Sequence, residues 1–226
     1  MKKILLSLTT ILAMSSAIQA AEYKDYVEVS VGQFLVEDDK ALNVEPLSNI
    51  VGGDSTALTI KLGLHYPKTG AKYVEKGTIY TYVTIHDNEK NNEAIVGIGA
   101  QFYSDKINDM FRLRADFGAG IGKQFNNGDS VSLSSNVTNI SYVTGDYQMG
   151  SYTGVYTKDT NVFEINLGFA LNWDTPVENM YVNTGYMYHY KNYDFEYQID
   201  GDDKRMSLSG VVQNAHEFNI GVEYRF

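Results

Sequence analysis

The chain has no cysteine, three prolines and a single tryptophan in 226 residues. Without cysteine there is no disulfide framework, no thiolate metal site and no lipid-modified N-terminal cysteine of the lipoprotein kind. Basic residues are also scarce. Eighteen Lys and Arg stand against 28 Asp and Glu, a formal charge of −10 at pH 7, so nucleic acid is not an expected partner. Long apolar runs are missing too: beyond residue 20 nothing approaches the ~18 uninterrupted apolar residues of a spanning helix. A hydropathy scan therefore reads the rest as soluble, but only on the assumption that membranes are crossed by helices. With 43% hydrophobic and 13% aromatic residues, general disorder is excluded.

The first segment, "MKKILLSLTTILAMSSAIQA", carries Lys2 and Lys3, an apolar run from Ile4 to Met14, and small residues ending at Ala20. This order reads as a secretory signal, residues 1–20, rather than a membrane anchor. The mature chain then spans 21–226. The signal holds two lysines and no acid, which leaves 16 basic against 28 acidic residues, or −12. Export without disulfides points to a bacterial envelope.

From there on the dominant period is two, the repeat of a strand. Leu58, Ile60, Leu62, Leu64 and Tyr66 alternate with Ala57, Thr59, Lys61, Gly63 and His65. Val27, Val29 and Val31 alternate with Glu28, Ser30 and Gly32, and Ala94, Val96, Ile98, Ala100 and Phe102 with Ile95, Gly97, Gly99, Gln101 and Tyr103. In "FRLRADFGAGIG" the apolar set Phe111 to Ile121 opposes Arg112, Arg114, Asp116 and three glycines. In "FEINLGFALNW" the set Phe163 to Trp173 opposes Glu164, Asn166 and Asn172. Segments 78–86 and 180–190 are tyrosine-rich strands whose faces are less decided. The chain stops on a strand, with Phe218, Ile220, Val222, Tyr224 and Phe226 opposite Glu217, Asn219, Glu223 and Arg225.

Eight strands of about 9–11 residues suit a tilted crossing of a bilayer. Between them, connections 36–56, 87–93, 124–161 and 191–215 are mostly long and polar, whereas 67–77, 104–109 and 174–179 are shorter. Pro46, Pro67 and Pro176 all fall in connections, where no ladder donor is lost. Long and short loops in alternation predict a closed, antiparallel, up-and-down transmembrane β-barrel of all-β class, with four surface loops outside and short turns in the periplasm. A soluble sandwich or lipocalin-like barrel is the competing reading. Against it, the apolar face is nearly pure while the other carries charges, and the aromatics Tyr66, Phe102, Phe111, Trp173 and Phe226 all fall at strand ends expected to be periplasmic, as one interfacial girdle. Weak alternation within 124–161 keeps ten strands as an alternative to eight.

With the terminal "NIGVEYRF" on a strand of this kind, the mature chain resembles the small outer-membrane β-barrel family of OmpA/OmpX type, which includes opacity-like, porin-family proteins. The resemblance rests on architecture and on the terminal strand. It implies that Phe218, Ile220, Val222, Tyr224 and Phe226 are read by the barrel-assembly machinery, with Phe226 acting as both address label and girdle residue. It also implies residence in the bacterial outer membrane, among its lipid and lipopolysaccharide.

The chemical motifs are weak. "GAGIGK" lacks the third glycine of a dinucleotide fingerprint and lies along one strand, where glycines leave room for long charged neighbours inside a narrow barrel. His189 shares the inward side of Met187, whereas His216 has the outward parity of Phe218, so alternation keeps them apart. No His-x-Ser pair is present and no two histidines have ligand spacing. The inward charges are Lys61, Arg112, Arg114 and Arg225 with Glu28, Asp116, Glu164, Glu217 and Glu223, close to balance. Balance favours pairing over a selectivity ring of one sign. Arg112 and Arg114 are expected to reach Glu28 and Glu223 across the lumen. The functional expectation is a monomeric, structural and surface-interaction protein, adhesin-like, with no cofactor and no catalysis. Its loops carry acids such as Asp38, Asp39, Asp202 and Asp203 and would meet a host, matrix or neighbouring-protein ligand. A small passive pore is the first alternative and a lipid A-modifying enzyme the second.

Overall fold

The computed structural model describes residues 24–37, 53–66, 76–87, 91–107, 109–126, 155–199 and 205–226. Residues 1–23, expected to hold the export signal, and the centres of the long connections lie outside them. Eight strands form: β1 Lys24–Val36, β2 Ser55–Tyr66, β3 Lys76–Asp87, β4 Asn91–Tyr103, β5 Phe111–Asn126, β6 Val155–Asp174, β7 Met180–Ile199 and β8 Arg205–Arg225. Each pairs antiparallel with the next, and β8 returns to β1, closing the barrel. Closure leaves no open sheet edge, the condition for spanning lipid with strands. No described helix is long and apolar enough to cross a membrane.

The register fixes the shape. One row of partners runs Phe111, Trp173, Val182, Val222, Val29, Ile60, Val83, Val96 and back to β5 at Ile121, ten residues beyond its start. Eight strands with this stagger tilt by about 40° and enclose a backbone cylinder of about 8 Å radius. Each step along the row climbs about 3 Å, and the full circuit about 25 Å. That climb equals the height of the apolar band on an outer-membrane barrel.

Alternation then sorts the side chains. Facing outward, Ile98, Phe117, Ile121, Leu167, Phe169, Phe218 and Ile220 are 47–70% exposed, a continuous apolar surface suited to contact with lipid. Facing inward, Glu28, Arg114, Asp116, Glu164 and Glu223 are at most 2% exposed. Glycines on the inner wall make room for rings. Gly97 and Gly99 sit under Tyr82 and Tyr80, and a Cβ on Gly120 would meet Tyr82 Oη at 2.7 Å. In "GAGIGK", however, Gly118 faces Asn166, Gly120 faces Ile95 and Tyr82, and Gly122 faces Ile95 and the Ala94 carbonyl, so none makes room for the long charged side chain expected there; Gly32, beneath Glu217, does.

The short-turn end of the barrel is tied together. Asp109 and Asn179 adopt φ of 55° and 60°, left-handed values that Asp and Asn tolerate. Asp174 N donates to Met110 O at 3.2 Å, Arg225 N to Asn179 O at 3.0 Å, and Phe226 N to Asp25 O at 2.8 Å. At the other end the sequence-based boundaries need correction, because 124–126, 155–161 and most of 191–215 are strand. β5 continues to Asn126, β6 begins at Val155, β7 runs to Ile199 and β8 begins at Arg205. These ends are polar and lie above the lipid, so no apolar face announced them. Among the described residues the closed barrel has eight strands, not ten. At this tilt β6, β7 and β8 rise about 20 Å beyond the apolar band, whereas β1 to β4 end near its rim. Bulges at Thr157/Asp159 and Tyr193/Phe195 bend this taller wall, as inserted residues do.

Candidate functional site: the lumen

The lumen holds two charged layers separated by a layer of hydroxyls and amides. In the lower layer Arg114 projects from β5 and grips Glu28 with both ends of its guanidinium, at 2.8 and 3.2 Å. Its Nε donates to Asp116 at 2.8 Å, and Glu223 lies 3.7 Å away. Lys61 reaches the same acids, 3.1 Å from Asp116 and 3.5 Å from Glu28. Gln101 donates to Asp116 at 2.7 Å and accepts from Tyr26 at 3.2 Å. The Tyr103 hydroxyl lies 2.9 Å from Gln101 and 3.1 Å from Glu223. Arg225 donates to Glu223 at 2.6 Å and stacks over Tyr181, 3.9 Å from the ring centre. Every charge here has an opposite partner at hydrogen-bond range, which is what makes its burial tolerable.

The two arginines expected to act together part company. Arg114 crosses the lumen, whereas Arg112, two residues lower, pairs with Asp174 at 3.3 Å beside the short turn 174–179. Lys106 joins the same carboxylate. The cause is depth. At Arg112 the barrel is at its floor, and the nearest acid belongs to the turn.

In the middle layer Tyr82 donates to Glu164 at 3.1 Å, and Asn166 bonds both groups at 3.0 and 2.9 Å. A cavity of about 10 Å³ between Tyr80, Lys61 and Glu217 offers room for one water molecule. Above it each ring nitrogen of His189 faces a carboxylate, Glu164 at 3.1 Å and Glu217 at 3.0 Å. Only the imidazolium can donate to both. Lys191 pairs with Glu93, contacts His86 at 3.2 Å and sits over the Phe34 ring, 4.2 Å from its centre. Tyr193 lies 3.0 Å from both Glu93 and Gln213 at the mouth.

Among the described residues the buried charges of the lumen are therefore Lys61, Arg112, Arg114, Lys191 and Arg225 with Glu28, Glu93, Asp116, Glu164, Glu217 and Glu223. Sequence reasoning missed Lys191 and Glu93 because both sit at the edges of segments read as loops. It also missed His86, on a strand whose faces polarity did not separate. The neutral links Gln101, Tyr82 and Tyr103 carried no signal beyond their parity. No described group of three or more His, Asp or Glu has the geometry of a metal site.

On the outer wall, Phe111 and Trp173 pack at 4.8 Å between ring centres, and Tyr224 and Phe226 at 5.3 Å, at the short-turn end of the barrel. Phe102 contacts Phe117 at 6.0 Å. The side chain of Tyr66 lies outside the described residues. Phe218, Ile220, Val222, Tyr224 and Phe226 form one outward row, each at least 40% exposed. His189 and His216 occupy opposite faces of the wall.

No family model and no curated protein matches the sequence. Solved structures do resemble the fold. Neisserial surface protein A matches with a TM-score of 0.42 at 11% identity, over 92% of this chain and all of that one. The N-terminal β-barrel domain of Pseudomonas aeruginosa OprF gives 0.40 at 11%, over 91% and 100%. A major outer membrane protein of Thermus thermophilus gives 0.41 at 9%, over 89% and 99%. The likeness is one of fold alone. The chain's own topology, stagger and outward apolar band are those of a small, closed, eight-stranded up-and-down β-barrel with a lipid-compatible outer face.

Proposed function

We propose that this integral outer-membrane barrel is a monomeric, non-conducting anchor that holds a raised β-wall and its loops outside the cell for contact with host, matrix or neighbouring proteins. One observation carries the reading: the lumen is filled from floor to mouth by its own paired side chains, while β6, β7 and β8 continue well beyond the lipid band. A passive pore needs an open, hydrated path, and eight strands leave an interior only just wide enough for side chains. An extended wall above the membrane serves no transport purpose but presents a broad surface to partners, where loops carry recognition. In this reading residues 1–20 direct export and are removed, the terminal strand is read during assembly, and no cofactor or catalysis is involved.

Two measurements on the refolded mature barrel test it. In planar bilayers it should give no sustained currents, and on cells or matrix it should be retained, with retention falling when 127–154 is replaced by a short turn. Large ion-selective currents would promote the pore. Retention indifferent to the loop would remove the surface-contact role.

A further inference from the structure

Outside the lumen, three polar side chains line up on the lipid-facing wall. Tyr186 Oη lies 2.5 Å from His216 Nδ1, and His216 Nε2 lies 2.6 Å from Glu37 Oε1. Register explains the meeting: His216 is partnered by Tyr188 on β7 and by Leu35 on β1. The Tyr186 ring is wedged against Phe169 and Phe218, 5.4 Å from each, so it belongs to the apolar band while its hydroxyl points out of it. Glu37 is anchored through its main chain to Asn214 O at 3.0 Å. His216 lies ten residues before Phe226, which at this tilt is about 25 Å higher, at the top of the band.

Such a relay limits what can bind it. With a neutral imidazole, the single ring N–H donates to Glu37 and the tyrosine O–H donates to Nδ1, which uses both donors. What remains is acceptors and a negative charge. Asn214, on the same outward face one row higher, adds a buried Oδ1 with no described hydrogen-bond partner. The Tyr188 ring, 5.7 Å from the imidazole, adds an aromatic face. Among the described residues, no Lys or Arg shares this face of β7, β8 and β1 at this height, where Gln33, Leu35, Asn192 and Asp194 are the neighbours. Acceptors, one carboxylate and an aromatic ring suit a donor cation more than an anion.

We propose that Glu37, His216 and Tyr186, with Asn214 and Tyr188, form a site on the outer wall for the primary ammonium group of a lipid headgroup at the outer interface. The carboxylate supplies the charge partner, Tyr186 and Asn214 accept the remaining N–H groups, and the apolar band below receives the acyl chains. An amine-bearing phospholipid and an amine-bearing glycolipid offer the same group.

The test uses the refolded mature chain in micelles, with native mass spectrometry reading lipid retention. Phosphatidylethanolamine should be held about tenfold more tightly than phosphatidylcholine of equal chain length, because only the first donates hydrogen bonds through its cation. Phosphatidylglycerol should show no preference. Ethanolamine-decorated lipid A against undecorated lipid A is the second arm, and the arm with the larger ratio identifies the source. Glu37→Gln and His216→Phe should abolish the preference, and Asp87→Asn, at similar height on the far wall, should leave it unchanged. If His216→Phe fails to fold, Glu37→Gln, at the end of its strand, carries the test. Equal retention of the ethanolamine and choline lipids, or a preference that survives Glu37→Gln, would reduce the cluster to an ordinary interfacial aromatic belt.

Discussion

Replacing Arg114 with Met should be the most damaging single change in the lumen. Arg114 is 2% exposed and holds both oxygens of Glu28 and one of Asp116, with Glu223 at 3.7 Å. In the lower layer Arg114, Lys61 and Arg225 balance Glu28, Asp116 and Glu223. Losing the arginine leaves Lys61 to serve two acids alone, 3.5 and 3.1 Å away. Removing one partner of a buried pair costs about 3–5 kcal/mol, because the other charge is left without compensation. The double variant Arg114→Met, Glu28→Gln restores neutrality and should recover more than half of that loss, about 2 kcal/mol or more. Arg112→Met is the internal control. Its partner Asp174 is 27% exposed, so the loss should stay within about 1 kcal/mol. Urea titrations of micelle-folded protein would measure all three, with heat-modifiable migration and the fluorescence of Trp173, the only tryptophan, as readouts. Equal midpoints for Arg112→Met and Arg114→Met, or a double variant no better than the single, would refute the reasoning that buried pairing across the lumen holds the barrel.

Phe117→Arg, on an outward residue 47% exposed near mid-band, should cost about 2–4 kcal/mol in lipid, and an unchanged urea midpoint would reverse the assignment of faces. Gly97→Val would drive a side chain into the Tyr82 ring and the Ala119 carbonyl; overpacking of this kind costs about 1–3 kcal/mol or more, and Tyr82→Ala in the same chain should relieve it, as a shifted midpoint would show. Deleting Phe226, which is 65% exposed and tied by one main-chain bond, should barely alter stability after refolding in vitro yet reduce assembly in cells, so undiminished heat-modifiable protein in membranes would sink the recognition role. External protease should cut within 127–154 on intact cells while the strands stay protected, and cutting only in spheroplasts would invert the topology.

How much of this was legible in the sequence depended on whether polarity separated the two faces of a strand. In β8, β6 and β5 one face is apolar and the other charged, so Phe218 to Phe226, Phe163 to Trp173 and Phe111 to Ile121 could be assigned from alternation alone. In β7 both faces carry tyrosine: Tyr186, Tyr188 and Tyr190 point outward, Tyr193 inward. There Met187 and His189 anchor the phase only weakly, because an amphipathic ring suits a membrane interface and a polar lumen equally well. Register resolves the phase. Once β8 is placed, its pairing with β7 sets Lys191 opposite Gln213 and His189 opposite Ala215, all facing inward. The same propagation finds Glu93, which is paired with Gln124 inside the wall although it looks like the end of a loop. The partners of individual charges were beyond the sequence for a different reason. Arg112 and Arg114 share a strand, a face and a charge, yet one turns to the floor and the other crosses the lumen. The difference arises from the ten-residue stagger, which lifts Glu28 on β1 to the height of Arg114 and leaves Arg112 level with the turn that carries Asp174. A stagger belongs to the closed ring as a whole, and no single strand encodes it.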